Sequence, residues 1–248
     1  MRILLTNDDG INAAGLAALC QELNKIATVS VFAPTYERSA TGHGITVSAP
    51  LRIKEEEIEG ATEAWAIDGY PVDCVKLALQ YMMKEEPDLV ISGINHGPNL
   101  GTDTLYSGTV SAALEGYICG FPSIAVSLMD SKNNLEQACH FVGDFCLWWQ
   151  KENFKPRCTF NINVPPGEIK GCKYAQLGVR TYHNVFEERV DPRGGRYFWL
   201  SGQPQDKGCE GRTDVEIVAD GYISITPLSP DLTDYKILAF IKENPPLA

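Results

Sequence analysis

The sequence predicts an α/β fold: a three-layer αβα sandwich on a largely parallel, Rossmann-like sheet, extended by a projecting β-hairpin and a C-terminal segment. Three observations predict it. Apolar runs of strand length alternate with helically periodic segments as far as about residue 165, the signature of successive βαβ units. The loops after three of the strands are rich in glycine and in oxygen-bearing side chains. Beyond Pro165-Pro166 the alternation stops, and two aromatic-rich runs flank a charged, glycine-rich tip. The reading is one domain over 1–248, with a core at 1–165 carrying the site and an excursion at 166–248 serving oligomerisation.

In chain order, RILLT (2–6) is a short apolar strand, 14–25 shows helical periodicity, and 27–33 is a second strand stopped by Pro34. A right-handed crossover makes these two strands parallel neighbours. GITVSAPLRIK (44–54) reads as two short strands around Ala49-Pro50, and 64–68 as another. Pro71, after Gly69-Tyr70, suits the first turn of a helix over 71–84, and Pro87 ends it. DLVISG (88–93) is the next buried strand. SGTVSAALEGYICG (107–120) is a small-residue helix, SIAVSL (123–128) a strand, 134–150 a long helix and CTFNINVP (158–165) a strand. KYAQLGVRTYH and RYFWLSG, within 172–212, form the projecting hairpin around EERVDPRGG. YISITPLSP supplies one more strand and DYKILAFIK a final short helix.

Composition narrows the function. At 44% hydrophobic, the 248 residues suffice for one large core. A formal net charge of −11 argues against partners that are polyanions, whether nucleic acid or anionic membrane. MRILLTNDDG turns polar within a few residues, so no secretory leader is expected, and no apolar run reaches the roughly 18 residues of a membrane span. None of the eight cysteines stands in a CxxC pair; reduced, buried thiols in a cytoplasmic protein are expected.

In open α/β sheets, ligands gather beyond the carboxyl ends of the strands. Beyond the first strand stand Asn7, Asp8, Asp9 and Gly10. Asp-Gly is also a hairpin-turn signal and an acid can cap a helix. The helical segment that follows excludes the hairpin, and a cap accounts for one acid only. Adjacent carboxylates with hydroxyl and amide oxygens nearby suit one hard divalent cation, Mg²⁺, Mn²⁺ or Ca²⁺, better than zinc. Beyond the second strand lie Ser39 and His43. The 17-residue link from Gly93 to Thr109 carries Asn95, His96, Asn99 and Ser107; links this long are usually functional. Ser107-Gly108-Thr109 opens a helix, where free N–H groups and hydroxyls suit phosphate, although Ser107 also fits a plain N-cap. His43 and His96 are possible proton carriers.

TNDDG, the AP…RSA…G run at 33–42, SGINHGPNLG and YSGTVSAA, in this order, together resemble the SurE family of survival-protein nucleotidases. The resemblance implies a metal-dependent phosphatase acting on nucleoside 5′-monophosphates, with 3′-monophosphates and polyphosphate as further substrates to test. It implies one divalent metal per subunit on Asp8, Asp9, Ser39 and Asn95, and a homodimer or homotetramer built by exchanging hairpin and C-terminal elements. Asp8, Asp9 and Asn95 are then the catalytic candidates for in-line attack by a metal-activated water. Asn95, Asn99, Ser107, Gly108 and Thr109 are the phosphate candidates. A haloacid-dehalogenase-type phosphatase is disfavoured, because its nucleophilic acid would fall at Asn7, and an amide cannot attack phosphorus. A receiver domain lacks its third aspartate here. A non-catalytic nucleotide-binding module stays as the remaining alternative.

Overall fold

The computed structural model describes residues 1–129, 134–152, 156–183, 185–207 and 212–244. The core elements are β1 (Arg2–Thr6), α1 (Ala14–Leu23), β2 (Thr28–Pro34), β3 (Ile53–Glu55), β4 (Glu63–Ile67), α2 (Pro71–Leu77), β5 (Leu89–His96), α3 (Gly108–Ile118), β6 (Ser123–Leu128), α4 (Leu135–Lys151) and β7 (Thr159–Val164). Then come β8 (Cys172–Tyr174), β9 (Val179–His183), β10 (Phe186–Val190), β11 (Arg196–Leu200), β12 (Gln203–Lys207), α5 (Asp214–Ala219), β13 (Ile223–Leu228) and α6 (Tyr235–Glu243).

Nine strands form one sheet in the order β3-β4-β2-β1-β5-β6-β7-β13-β8. It is parallel from β4 to β7; β3 and β13 pair antiparallel with β4 and β7. Ile3, Leu4 and Leu5 are fully buried, as a strand covered on both faces requires. Leu5 joins a cluster with Leu16, Leu19 and Leu23 of α1 and Val142 and Cys146 of α4. On the opposite face Leu4 packs with Phe32, Cys74, Val75 and Ala112, reached by α2 and α3. These two apolar layers make the three-layer sandwich. Because β1 continues to β2 on one side while β5 lies on the other, the topological switch point falls between β1 and β5, where a crevice opens.

Three local expectations change. Of the two strands expected in 44–54, only Ile53–Glu55 forms. The Thr46 N–H and hydroxyl instead donate to the buried Asp73 carboxylate, the hydroxyl at 2.6 Å, so this stretch is held by a side chain and not by a ladder. The helix expected over 71–84 is α-helical only to Leu77 and continues as a wider π turn, Ala78–Met82. Helix α5 was not anticipated, although Thr213 and Glu216 spell a capping box: the Thr213 hydroxyl accepts from the Glu216 N–H, and the Glu216 carboxylate accepts from the Thr213 N–H.

The hairpin consists of two antiparallel ladders in series, β9 with β12 and β10 with β11. Residues 184 and 208–211 of the expected 172–212 span lie outside the described residues. Seven cysteines are free thiols; Cys20, Cys74, Cys139 and Cys146 are buried, while Cys172 is exposed on β8, and Cys209 lies outside the described residues. Burial pushes the Cys139 and Cys146 thiols up to about 12, which leaves them unreactive. Among the described residues no helix is long and apolar enough to cross a membrane.

Candidate active site

The turn after β1 is built by Asn7, which is fully buried. Its side-chain amide donates to the Gly10 carbonyl at 2.9 Å and its amide oxygen accepts from the Gly10 N–H at 3.2 Å. Gly10 sits at φ +99°, a conformation that costs other residues strain. The cap at α1 is Ala13, with no side-chain bond. Neither aspartate therefore caps the helix, and both are free to face the crevice.

Asp8 is buried, and what holds it comes from a segment 101 residues away. Thr109 gives it both donors: its N–H reaches Oδ2 at 3.1 Å and its hydroxyl reaches Oδ1 at 2.5 Å. Gly108 makes the approach possible, since a Cβ there would stand 2.9 Å from the Asp8 Cβ and Oδ2. Burial, reinforced by the charge of Asp9, pushes the Asp8 carboxyl up to about 6, against the Thr109 bonds that lower it. Asp9 is half-buried; burial raises its carboxyl too, although its Oδ2 accepts the His96 N–H at 3.2 Å.

The other loops converge as expected. The Arg38 N–H donates to the Asp8 carbonyl at 2.7 Å, which brings the Ser39 loop to the first turn. Ser39 is exposed and its hydroxyl donates to Glu37 at 2.7 Å, leaving the oxygen lone pairs available. The same loop is tethered from behind by His43, whose Nε2 lies 2.8 Å from Glu115 of α3; Lys76 of α2 donates to the other Glu115 oxygen at 2.7 Å. Burial raises the Glu115 carboxyl, but the bonds from His43 and Lys76 outweigh it and hold the group below its ordinary value. His43 is thereby a loop anchor.

Asn95 donates its amide N–H to the Gly97 carbonyl at 2.8 Å, and its Oδ1 has no donor among the described residues. Asn99 belongs to a buried amide network: its N–H donates to Asn163, its side-chain amide donates to Ser127, and its carbonyl accepts from Asn161 and Asn163. Ser107 is the N-cap of α3, its oxygen accepting the Val110 N–H at 3.1 Å, and its hydroxyl proton stays available.

Asp8, Ser39, Asn95, Asn99 and Ser107 all line one cleft of about 700 Å³. Gly108 and Thr109, expected at the phosphate, stand behind Asp8; Thr109 is fully buried and spends its N–H and hydroxyl on that carboxylate. Sequence reasoning missed the far wall, which the base of the hairpin supplies through Tyr182, Val185 and Leu200. It also missed Asp214, whose carboxylate accepts the Gly101 and Gly178 N–H groups at 2.8 Å each and ties the long loop to α5. The capping box at Thr213 was the one local signal near it.

The donor set suits a hard cation. Asp8 is a carboxylate raised first by burial and then by the charge of Asp9, both of which a bound cation offsets, and Asp9, Ser39 and Asn95 add only oxygens. Among the described residues no group of three or more His, Cys, Asp or Glu could hold a metal. A cation here therefore rests on the two aspartates with neutral oxygens.

A doubly wound α/β sheet with paired carboxylates and a helix N-terminus at its switch point defines the class: an α/β protein whose cleft lies at the carboxyl edge of its sheet. Comparison with known proteins is more specific. The family model for the survival protein SurE matches residues 3–184. A protein of Syntrophomonas wolfei named 5′-nucleotidase SurE is 51% identical over 243 residues, covering 96% of this chain and 92% of that one. One of Desulforudis audaxviator with the same name is 50% identical over 251 residues, covering 99% and 98%. The crystal structure of the SurE protein from Aquifex aeolicus superposes with a TM-score of 0.83 at 38% identity, covering 98% of this chain and 99% of that one. The chain belongs to the SurE family.

Proposed function

We propose that this protein is a 5′-nucleotidase that hydrolyses nucleoside 5′-monophosphates with the help of one divalent cation. One observation carries the reading: the buried Asp8 carboxylate and the Ser107 hydroxyl line a single cleft at the switch point, with Asp9 next to it on the same turn and bonded to the His96 N–H of the cleft lining. Asp8, Asp9, Ser39 and Asn95 hold the cation. When bound, Mg²⁺, Mn²⁺ or Ca²⁺ neutralises charge on the transferring phosphoryl group and acidifies water. Thr109 bonds both oxygens of Asp8 and Gly108 leaves room beside it, so that the carboxylate is held in place at the cleft. Ser107 donates its proton to a phosphate oxygen while its own oxygen keeps α3 capped, and Asn95 and Asn99 line the same cleft. The relatives' shared name supports the substrate class. 3′-Monophosphates and polyphosphate fit the same chemistry and belong in the same screen. Phosphate release from nucleoside 5′-monophosphates, with and without EDTA, tests the proposal. Release that survives complete chelation removes the cation from it, and no release with any divalent ion removes the activity.

Ser107→Ala is expected to raise KM for the nucleotide roughly tenfold through loss of one hydrogen bond to a charged group. It is also expected to lower stability by about 1 kcal/mol through loss of the cap. Cation affinity, measured by calorimetry, should stay constant. An equal loss of cation binding would move Ser107 to the metal.

Self-association is part of the proposal. The hairpin exposes Phe186, Val190, Phe198 and Trp199, and α6 exposes Ile237 and Phe240, large apolar side chains that a second copy of the chain would cover. A homodimer or homotetramer should appear in light scattering at micromolar concentration; a monodisperse monomer would refute it. Cytoplasmic location is proposed on the same footing, from free and mostly buried thiols.

A further inference from the structure

The cleft lining mixes two chemistries. Asp8, Asn95 and Ser107 bring polar groups, whereas Tyr106, Tyr182, Val185 and Leu200 bring ring and apolar surface from the turn before α3 and from the hairpin base. The same lining holds one acid the phosphate chemistry does not use. Asp103 sits in the short 3₁₀ turn Gly101–Leu105 and lines the cleft. Its Oδ2 accepts the Tyr182 hydroxyl at 2.7 Å and an Arg180 N–H at 3.3 Å, whereas its Oδ1 has no partner among the described residues.

Asp103 is rigidly mounted. Arg180 is also held by both oxygens of Asp206, at 2.7 and 3.2 Å, and the Thr102 hydroxyl donates to the Arg180 carbonyl. Burial and the adjacent Asp103 push the Tyr182 phenol up to about 12, so it remains a donor. The mount consumes one carboxylate oxygen and leaves the other as an acceptor. Such a group repels phosphate and selects a neutral donor. Asp103 on the 3₁₀ turn and Ser107 at the start of α3 are four residues apart and line the same cleft. A nucleotide whose phosphate meets Ser107 therefore presents its sugar to a lining that includes Asp103.

We propose that Asp103 is the sugar-recognition residue of this cleft, its Oδ1 accepting from the 2′- or 3′-hydroxyl of a ribonucleoside whose base lies against Tyr106, Tyr182 and Leu200. The inference rests on the nucleotidase reading and adds to it a preference for ribonucleotides and a hairpin-built base wall. It explains why the hairpin, which contributes no cation ligand, closes over the site.

The test uses ligands without phosphate, so that it is independent of turnover. Adenosine and 2′,3′-dideoxyadenosine are titrated into the protein, and binding is followed through the Val185 and Leu200 methyl resonances. Adenosine should bind about tenfold to a hundredfold more tightly, the worth of one hydrogen bond to a charged acceptor. In Asp103→Asn the ratio should fall towards one. Equal binding of the two nucleosides to the wild type overturns the proposal, as does discrimination that survives in Asp103→Asn or an absence of adenosine binding. The wild-type comparison stands even if the variant fails to fold. Phosphate release from AMP, read separately, reports on the nucleotidase reading: loss of release with intact nucleoside discrimination refutes the activity and leaves the sugar site.

Discussion

Asp8→Asn is expected to abolish phosphate release, by at least about a thousandfold, the scale of loss when a principal charged group leaves a phosphoryl-transfer site. It is also expected to leave the metal-free fold more stable than the wild type near neutral pH. Asp8 is 4% exposed and its carboxyl is pushed up to about 6 from an ordinary 3.8, first by burial. A folded-state value above the unfolded one means that the fold favours the protonated form. The stability so gained is fully present below 3.8 and is lost as pH rises through about 6. Two units correspond to about 3 kcal/mol at most, which Asn does not forfeit. An Asn in this place still accepts from the Thr109 N–H and can donate to the Thr109 hydroxyl. Chemical denaturation of metal-free wild type and variant at pH 4 and pH 8 checks this. A variant less stable than wild type at pH 8, or one with near-normal phosphate release, contradicts the assignment of Asp8 as a cation seat held at an energetic cost.

Gly108→Ala is the second large effect. The added Cβ would lie 2.9 Å from both the Cβ and Oδ2 of Asp8, in a buried place where backbone stands on one side and a strand-end carboxylate on the other. Either α3 shifts or Asp8 does. Displacing a catalytic group by a fraction of an ångström to 1 Å costs up to about a hundredfold in rate, and overpacking costs about 1–3 kcal/mol. Activity should fall about a hundredfold with cation affinity falling alongside it, because the carboxylate that moves serves both. A variant that loses nucleotide affinity and keeps cation affinity would return Gly108 to the phosphate, the place its sequence neighbourhood first suggested.

Much of this is legible without coordinates because it is local. Apolar runs of five or six residues, each followed by helical periodicity, can bury themselves only in a covered parallel sheet, and β1, β2, β5, β6 and β7 pair accordingly. Asn7 stands where a haloacid-dehalogenase-type phosphatase would carry its nucleophilic acid, and the fold gives that amide a different task, stapling the turn to Gly10. Residues 44–52 misled for a physical reason: the Thr46 N–H and hydroxyl are taken by the Asp73 carboxylate in place of a strand partner, and Ile45 and Val47 stay exposed. Helix α5 carried a readable cap at Thr213 and Glu216 but too few residues for a periodic signal.

The architecture and the paired acids at the end of the first strand are legible in the residues alone, because hydrophobic period, turn chemistry and charge are properties of chain neighbours. What those acids touch depends on packing between distant elements. Thr109 holds Asp8 from 101 residues away, Asp214 holds the long loop by Gly101 from 113 residues away, and the hairpin base closes the cleft opposite them. Contacts of that range are set by how whole elements pack, which no short window of residues encodes.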